Sequence, residues 1–158
     1  MCIRDSFEAV AAREVMRLLL ECVDHADGAE SLEDFIVEAI VTTARYFTQH
    51  EALEYLLRHE PEALAPFLSF DRLEPMLVVT RGILAPSVER LCDRETAEAA
   101  IEWGVRMVLS YTFTPSHRVR LTDNGDVHRL VSTYFLPGTT VASSSANGSS
   151  PPDQAIQP

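Results

Sequence analysis

The sequence has little of what usually carries recognisable chemistry. Its three cysteines, Cys2, Cys22 and Cys92, show no CxxC spacing and no even-numbered framework, which excludes a disulfide scaffold and suits a reducing cytoplasm. Six glycines are too few and too dispersed for a P-loop, a dinucleotide fingerprint or a nucleophile elbow, so nucleotide and acyl-transfer chemistry are not expected. The histidines, His25, His50, His59, His117 and His128, never meet a second His or Cys at metal-ligand spacing, so neither a metal nor a cofactor is expected. No apolar run approaches the roughly 18 to 20 residues that a membrane span requires. Convincing strand alternation and fixed-period repeats are missing as well.

Positive charge is also scarce. With 13 basic against 24 acidic residues the formal net charge is -11, which would repel phosphate backbones, so the chain by itself is not expected to bind DNA. The abundant carboxylates, such as Glu60-Pro61-Glu62 and the series Glu95, Glu98, Glu102, read as solvated helix faces rather than acid–base pairs. An enzyme is therefore not expected, and a soluble cytoplasmic protein is.

What the sequence does contain is helical periodicity. At 158 residues, 46% hydrophobic and 23% charged, it has the composition of one globular domain. Glu95 to Phe113 carries two apolar stripes: Ala97, Ile101, Val105, Val108 and Thr112 on one, and Trp103, Met107 and Tyr111 beside it. A surface helix needs only one stripe, so this helix is read as shared between its own core and a second subunit. Phe7, Ala11, Val15, Leu18 and Cys22 define a first helix to about Ala26. Ser31 with Asp34 caps a second, running to Thr48. Thr48 with Glu51 opens a third, Glu51 to His59, and Pro61 starts a short fourth to Leu68. Asp71 caps a fifth from Arg72 to about Cys92, with a kink expected near Pro86. Asp93 caps the two-striped helix and Pro115 stops it. Val127, Leu130, Val131 and Tyr134 make the apolar face of a last helix that closes at Pro137-Gly138. Thr139 to Pro158 is Ser-, Ala- and Pro-rich and is expected to be disordered. The fold class is all-α, an antiparallel bundle of about six to seven helices whose last two long helices form a dimer interface.

Aromatic and flexible apolar side chains gather in the middle segments. Tyr46, Phe47, Tyr55, Phe67, Phe70, Met76, Trp103 and Met107 are candidates to line a ligand cavity. Arg45 and Arg81 border these faces and could meet a ligand carboxylate, a salt bridge to a neighbouring Glu being the alternative. The interface candidates are Ile101, Val105, Val108 and Thr112 with Val127, Leu130, Val131 and Tyr134.

FEAVAAREVMRLL at Phe7 to Leu19, ARYFTQHEALEYLLRHEPEALAPFL at Ala44 to Leu68, ILAPSVERL at Ile83 to Leu91 and RLVSTYFLPG at Arg129 to Gly138 follow one another in order. Together they resemble the effector domain of the TetR (tetracycline-repressor-like) family of bacterial transcriptional regulators, over nearly all of residues 7–138. The resemblance implies a homodimer and a small-molecule effector held among the middle helices. It also implies DNA binding only through a helix-turn-helix head that precedes the first helix in that family. Such a head is absent here, and Met1 to Ser6 is similar to the spurious starts left by translated adapter sequence. The expectation is thus an effector-binding and dimerisation domain cut from a longer regulator. A self-contained helical adaptor without a ligand cavity is the alternative.

Overall fold

The computed structural model describes residues 3–51, 55, 59 and 70–139. Among these the backbone is helical with no strand, in five α-helices and one π-helical turn: α1 Ile3–Gly28, α2 Leu32–Gln49, α3 Phe70–Val88, α4 Arg94–Phe113, α5 Asn124–Leu130 and the π turn Val131–Phe135. The expected short helix Pro61 to Leu68 lies outside the described residues, as do most of Glu51 to His59 and nearly all of the tail.

Local chemistry sets the starts of α2 and α4. Ser31 Oγ accepts the Asp34 amide at 3.1 Å and donates to the Asp34 carboxylate at 2.6 Å, while Asp93 accepts the Thr96 amide at 2.9 Å. Each satisfies an amide that a helix N-terminus otherwise leaves without a partner. The hydrogen bonds that hold the Asp93 carboxylate, first from the Thr96 amide and then from its hydroxyl, keep its pKa below the ordinary value. Other boundaries differ from the sequence reading. Helix α1 begins at Ile3 rather than Phe7, and α3 opens at Phe70, upstream of the expected cap Asp71. Helix α3 stops at Val88, well before Cys92, two residues after Pro86 has removed a backbone donor from its last turn. Thr48 lies inside α2, its hydroxyl donating to the Arg45 carbonyl at 2.9 Å, and most of the helix it was expected to open lies outside the described residues.

Four helices close a ring. Helix α1 packs on α2 and α3, and α4 packs on the same two, so α1 and α4 face each other across the axis, as do α2 and α3. Short connections join α1 to α2 and α3 to α4, which makes both pairs antiparallel. Arg90 ties the end of α1 to the turn after α3, donating to Asp27 Oδ1 at 2.7 Å. Helix α5 and the π turn lie against α2. Arg45 and Asn124 lock the preceding loop there, Arg45 donating to Asn124 Oδ1 at 3.1 Å and Asn124 donating to Glu38 at 3.0 Å.

The π turn changes which aromatic is inside. A regular helix placing Val127, Leu130 and Val131 inward would bring Tyr134 to the same face. The wider turn shifts the register by one residue, so Phe135 is buried at 7% exposure against Trp103, while Tyr134 stands 71% exposed. The backbone stays helical through Pro137-Gly138 to residue 139, past the expected stop.

The shifted register has a direct test. Phe135→Ala is expected to cost about 3–5 kcal/mol in denaturant unfolding, and Tyr134→Ala no more than about 0.5 kcal/mol. The reverse ranking would mean that an unbroken α-helical register holds in solution.

Candidate functional site

The ring does not fill its own axis. A cavity of about 120 Å³ runs between all four helices. Helix α1 contributes Val15, Leu18 and Cys22, and α2 contributes Phe35, Ile40, Thr43 and Phe47. Met76, Thr80 and Leu84 come from α3, and Ala100, Gly104, Val105 and Val108 from α4. Val15 is 39% exposed and marks the side on which the cavity meets the surface. Sealed from solvent, a void of this volume would cost about 3 kcal/mol at the scale measured for cavities opened by core truncation; opening at Val15 reduces that cost.

Gly104 contributes to its volume. It sits in the interior of α4, where glycine is the least favourable residue after proline. Its backbone is not in the left-handed region, and a Cβ placed on it would meet nothing within 4 Å. Neither conformation nor close packing calls for glycine here, so the missing side chain translates directly into empty volume.

The wall is apolar even where its residues are not. Thr43 Oγ1 donates to the Ala39 carbonyl at 2.7 Å and Thr80 Oγ1 to the Met76 carbonyl at 2.8 Å, so both hydroxyl protons are spent along their own helices. Burial pushes the Cys22 thiol up to about 11, the Thr43 hydroxyl beside it opposing the shift. At neutral pH this sulfur is a protonated, unreactive part of the wall.

Of the residues expected to line a cavity, Phe47 and Met76 do so. Tyr46 turns outward and donates its hydroxyl to Glu14 on α1. Arg81 is held by Glu102 at 2.5 Å and Glu74 at 3.7 Å, the salt-bridge alternative, and Arg45 is held by the loop before α5. Trp103 packs on Phe135 with ring centroids 5.2 Å apart, and Met107 packs against the core without reaching the cavity. Tyr55 is exposed with its ring over His59, while Phe67 and the Phe70 side chain lie outside what is described. Leu18, Cys22, Phe35, Thr80 and Gly104 were missed. Gly104 left a signal, a lone glycine in mid-helix with no turn to make.

The stripe assigned to a subunit interface faces inward. Ile101, Val105 and Val108 line the cavity, Thr112 on that stripe is half-buried, and Val127, Leu130 and Val131 belong to the chain's own core. Periodicity identified an apolar face, and closing the ring uses that face within one chain. Tyr134 alone of this set is free on the surface. The outward side of α4 carries Glu95, Ala99, Arg106 and Ser110.

Among the described residues no cluster of His, Cys, Asp and Glu could hold a metal ion, and no helix is long and apolar enough to cross a membrane. Comparison with family models, with curated proteins and with solved structures finds no match.

Two measurements probe this geometry. Gly104→Ala is expected to stabilise the fold by about 0.5–1 kcal/mol, read as a higher denaturation midpoint, because the added methyl gains helix propensity without a clash. The Tyr46 hydroxyl, more than any nearby charge, lowers the Glu14 pKa, and burial followed by that hydrogen bond raises the Tyr46 pKa. The depressed carboxyl contributes stability above its unfolded pKa that is lost as pH falls through the folded value. The raised phenol contributes below its unfolded pKa and loses that contribution as pH rises through its folded one. In Tyr46→Phe the Glu14 carboxyl should titrate closer to the ordinary glutamate value by carboxyl-resolved NMR; an unchanged titration would mean that the contact does not form in solution.

Proposed function

We propose that the chain is the effector-binding and dimerisation part of a TetR-like transcriptional regulator, which holds a small apolar effector on the axis of its helical ring. The observation that carries this reading is the axial apolar cavity, with Gly104 in its wall. A domain serving only as a scaffold gains nothing from a mid-helix glycine that leaves volume unfilled, whereas a binding domain gains its site. The ordered sequence resemblance supplies the family. Val15, Leu18 and Cys22 make α1 one wall of the cavity, so an occupant touches the helix to which the family's DNA-binding head is attached. An effector that binds better in one position of α1 biases that position, and linkage then requires DNA binding to change by the same free energy.

In this reading two copies meet through the outward side of α4 and the last helix, where Trp103 is half-buried and Tyr134 exposed. The adaptor alternative draws its support from a different surface. The outward side of α3 exposes Pro75, Val78, Val79, Gly82 and Pro86, with Glu74 as the one exposed charge among the described residues of that side.

Native mass spectrometry of protein purified without detergent tests the two together. The regulator reading expects a dimer with a small molecule retained, and Tyr134→Asp is expected to shift the dimer towards monomer. An empty monomer that acquires a stoichiometric protein partner would replace the regulator reading with the adaptor.

A further inference from the structure

The polar groups around the cavity also determine what kind of molecule it can take. This inference rests on reading the cavity as the effector site and concerns the chemistry of its occupant. A buried charge is stable only when paired and hydrogen-bonded, and an unpaired one costs far more than a lost hydrogen bond. Among the described residues no arginine lines the cavity, and the two nearest are held elsewhere, although the buried Arg81 Nε has no partner of its own. Arg81 is bound to Glu102 and Glu74, Glu102 is bound in turn by Arg106 at 2.9 Å, and Arg45 faces the loop before α5. No carboxylate among the described residues lines the cavity to receive an ammonium group. Even neutral donors are spent, with Thr43 and Thr80 turned to helix carbonyls and the Tyr46 hydroxyl to Glu14. What remains is hydrocarbon wall around about 120 Å³, near in volume to the roughly 150 Å³ engineered cavity that accepts benzene, though this one opens to the surface at Val15.

We propose that this cavity takes an uncharged hydrocarbon group about the size of a benzene ring, and that it rejects the ionised form of a molecule of the same shape. A larger effector would bury only a ring or a short branched alkyl group here. The recognised feature is the absence of charge combined with a compact shape, because the wall offers dispersion contacts and no free donor. Gly104 sets the size limit.

The test titrates the full chain at neutral pH with two probes, benzene and benzoate, followed by thermal melting and by methyl-resolved NMR. Benzene is expected to raise the melting temperature and to shift methyl signals of Leu18, Ile40, Leu84 and Val108, with benzoate weaker by about a hundredfold or more. Gly104→Leu should fold, as judged by circular dichroism, and lose the benzene response. Benzoate binding within about tenfold of benzene, with both removed by Gly104→Leu, would leave the cavity as the effector site and overturn its proposed selectivity. Benzene shifts confined to methyls away from the axis would overturn the proposal without any variant, as would a benzene response that survives in folded Gly104→Leu. If neither probe binds, the cavity is no ligand site, and the functional reading fails with the inference.

Discussion

Everything in this structure depends on how four helices fill the axis they enclose. A ring of helices that each touch two neighbours leaves a central column, and side chains from all four must meet there for the interior to reach ordinary packing density. Helices α1, α2 and α3 send large residues inward, Leu18, Phe35, Ile40 and Leu84 among them. Helix α4 answers with Ile101, Val105 and Val108, but also with the small residues Ala100 and Gly104. The shortfall is local, on one helix, and the surrounding side chains cannot collapse into it while the ring is held at its rim. That rim is polar: the Arg81–Glu102 pair between α3 and α4, Arg90 on Asp27 between the α3–α4 turn and α1, and Tyr46 on Glu14 between α2 and α1.

The same division explains the electrostatics. The ion pairs lie at the surface, where each adds little stability but fixes the relative position of two helices. Two arginines hold Glu102, Arg106 first and Arg81 next, and keep its pKa low. The amide of Arg120, ahead of Arg129 and the Arg120 side chain, does the same for Asp126. All 13 basic residues are arginines, and a planar guanidinium that engages two acceptors at once suits this bracing role. With the charges committed at the rim, the axis is left to dispersion and shape.

Much of the fold was legible because its signals are local. Ser31 and Asp93 cap their helices through their own side chains, and Pro115 stops α4 by its covalent structure. Those boundaries were readable from a few residues. The direction in which each face points was not. Helix α4 has two apolar stripes, and periodicity cannot tell whether Ile101, Val105 and Val108 turn towards a neighbouring helix of the same chain or a second subunit. Only the closing of the ring decides it. The cavity residues suffered the same ambiguity. Aromatic character selected Trp103 and Tyr46, but Trp103 is used by Phe135 and Tyr46 by Glu14, while small Gly104 and aliphatic Leu18 and Leu84 shape the void. A widened turn such as Val131–Phe135 leaves no sequence signature at all, since Val-Ser-Thr-Tyr-Phe is compatible with either register.

That turn has a consequence for how the chain can change by insertion and deletion. A π turn contains one more residue than the α-helical turn it replaces, so losing a single codon between Ser132 and Tyr134 would leave a regular helix of unbroken hydrogen bonding. Loss of Ser132 or Thr133 would put Phe135 three residues after Val131, the position that a regular helix turns inward, so Phe135 would stay against Trp103 and Val127, Leu130 and Val131 would stay where they are. One in-frame deletion would thereby remove the widened turn while keeping the same aromatic buried at the edge of the bundle. This helix can therefore shorten by one residue at the turn and keep its inner face.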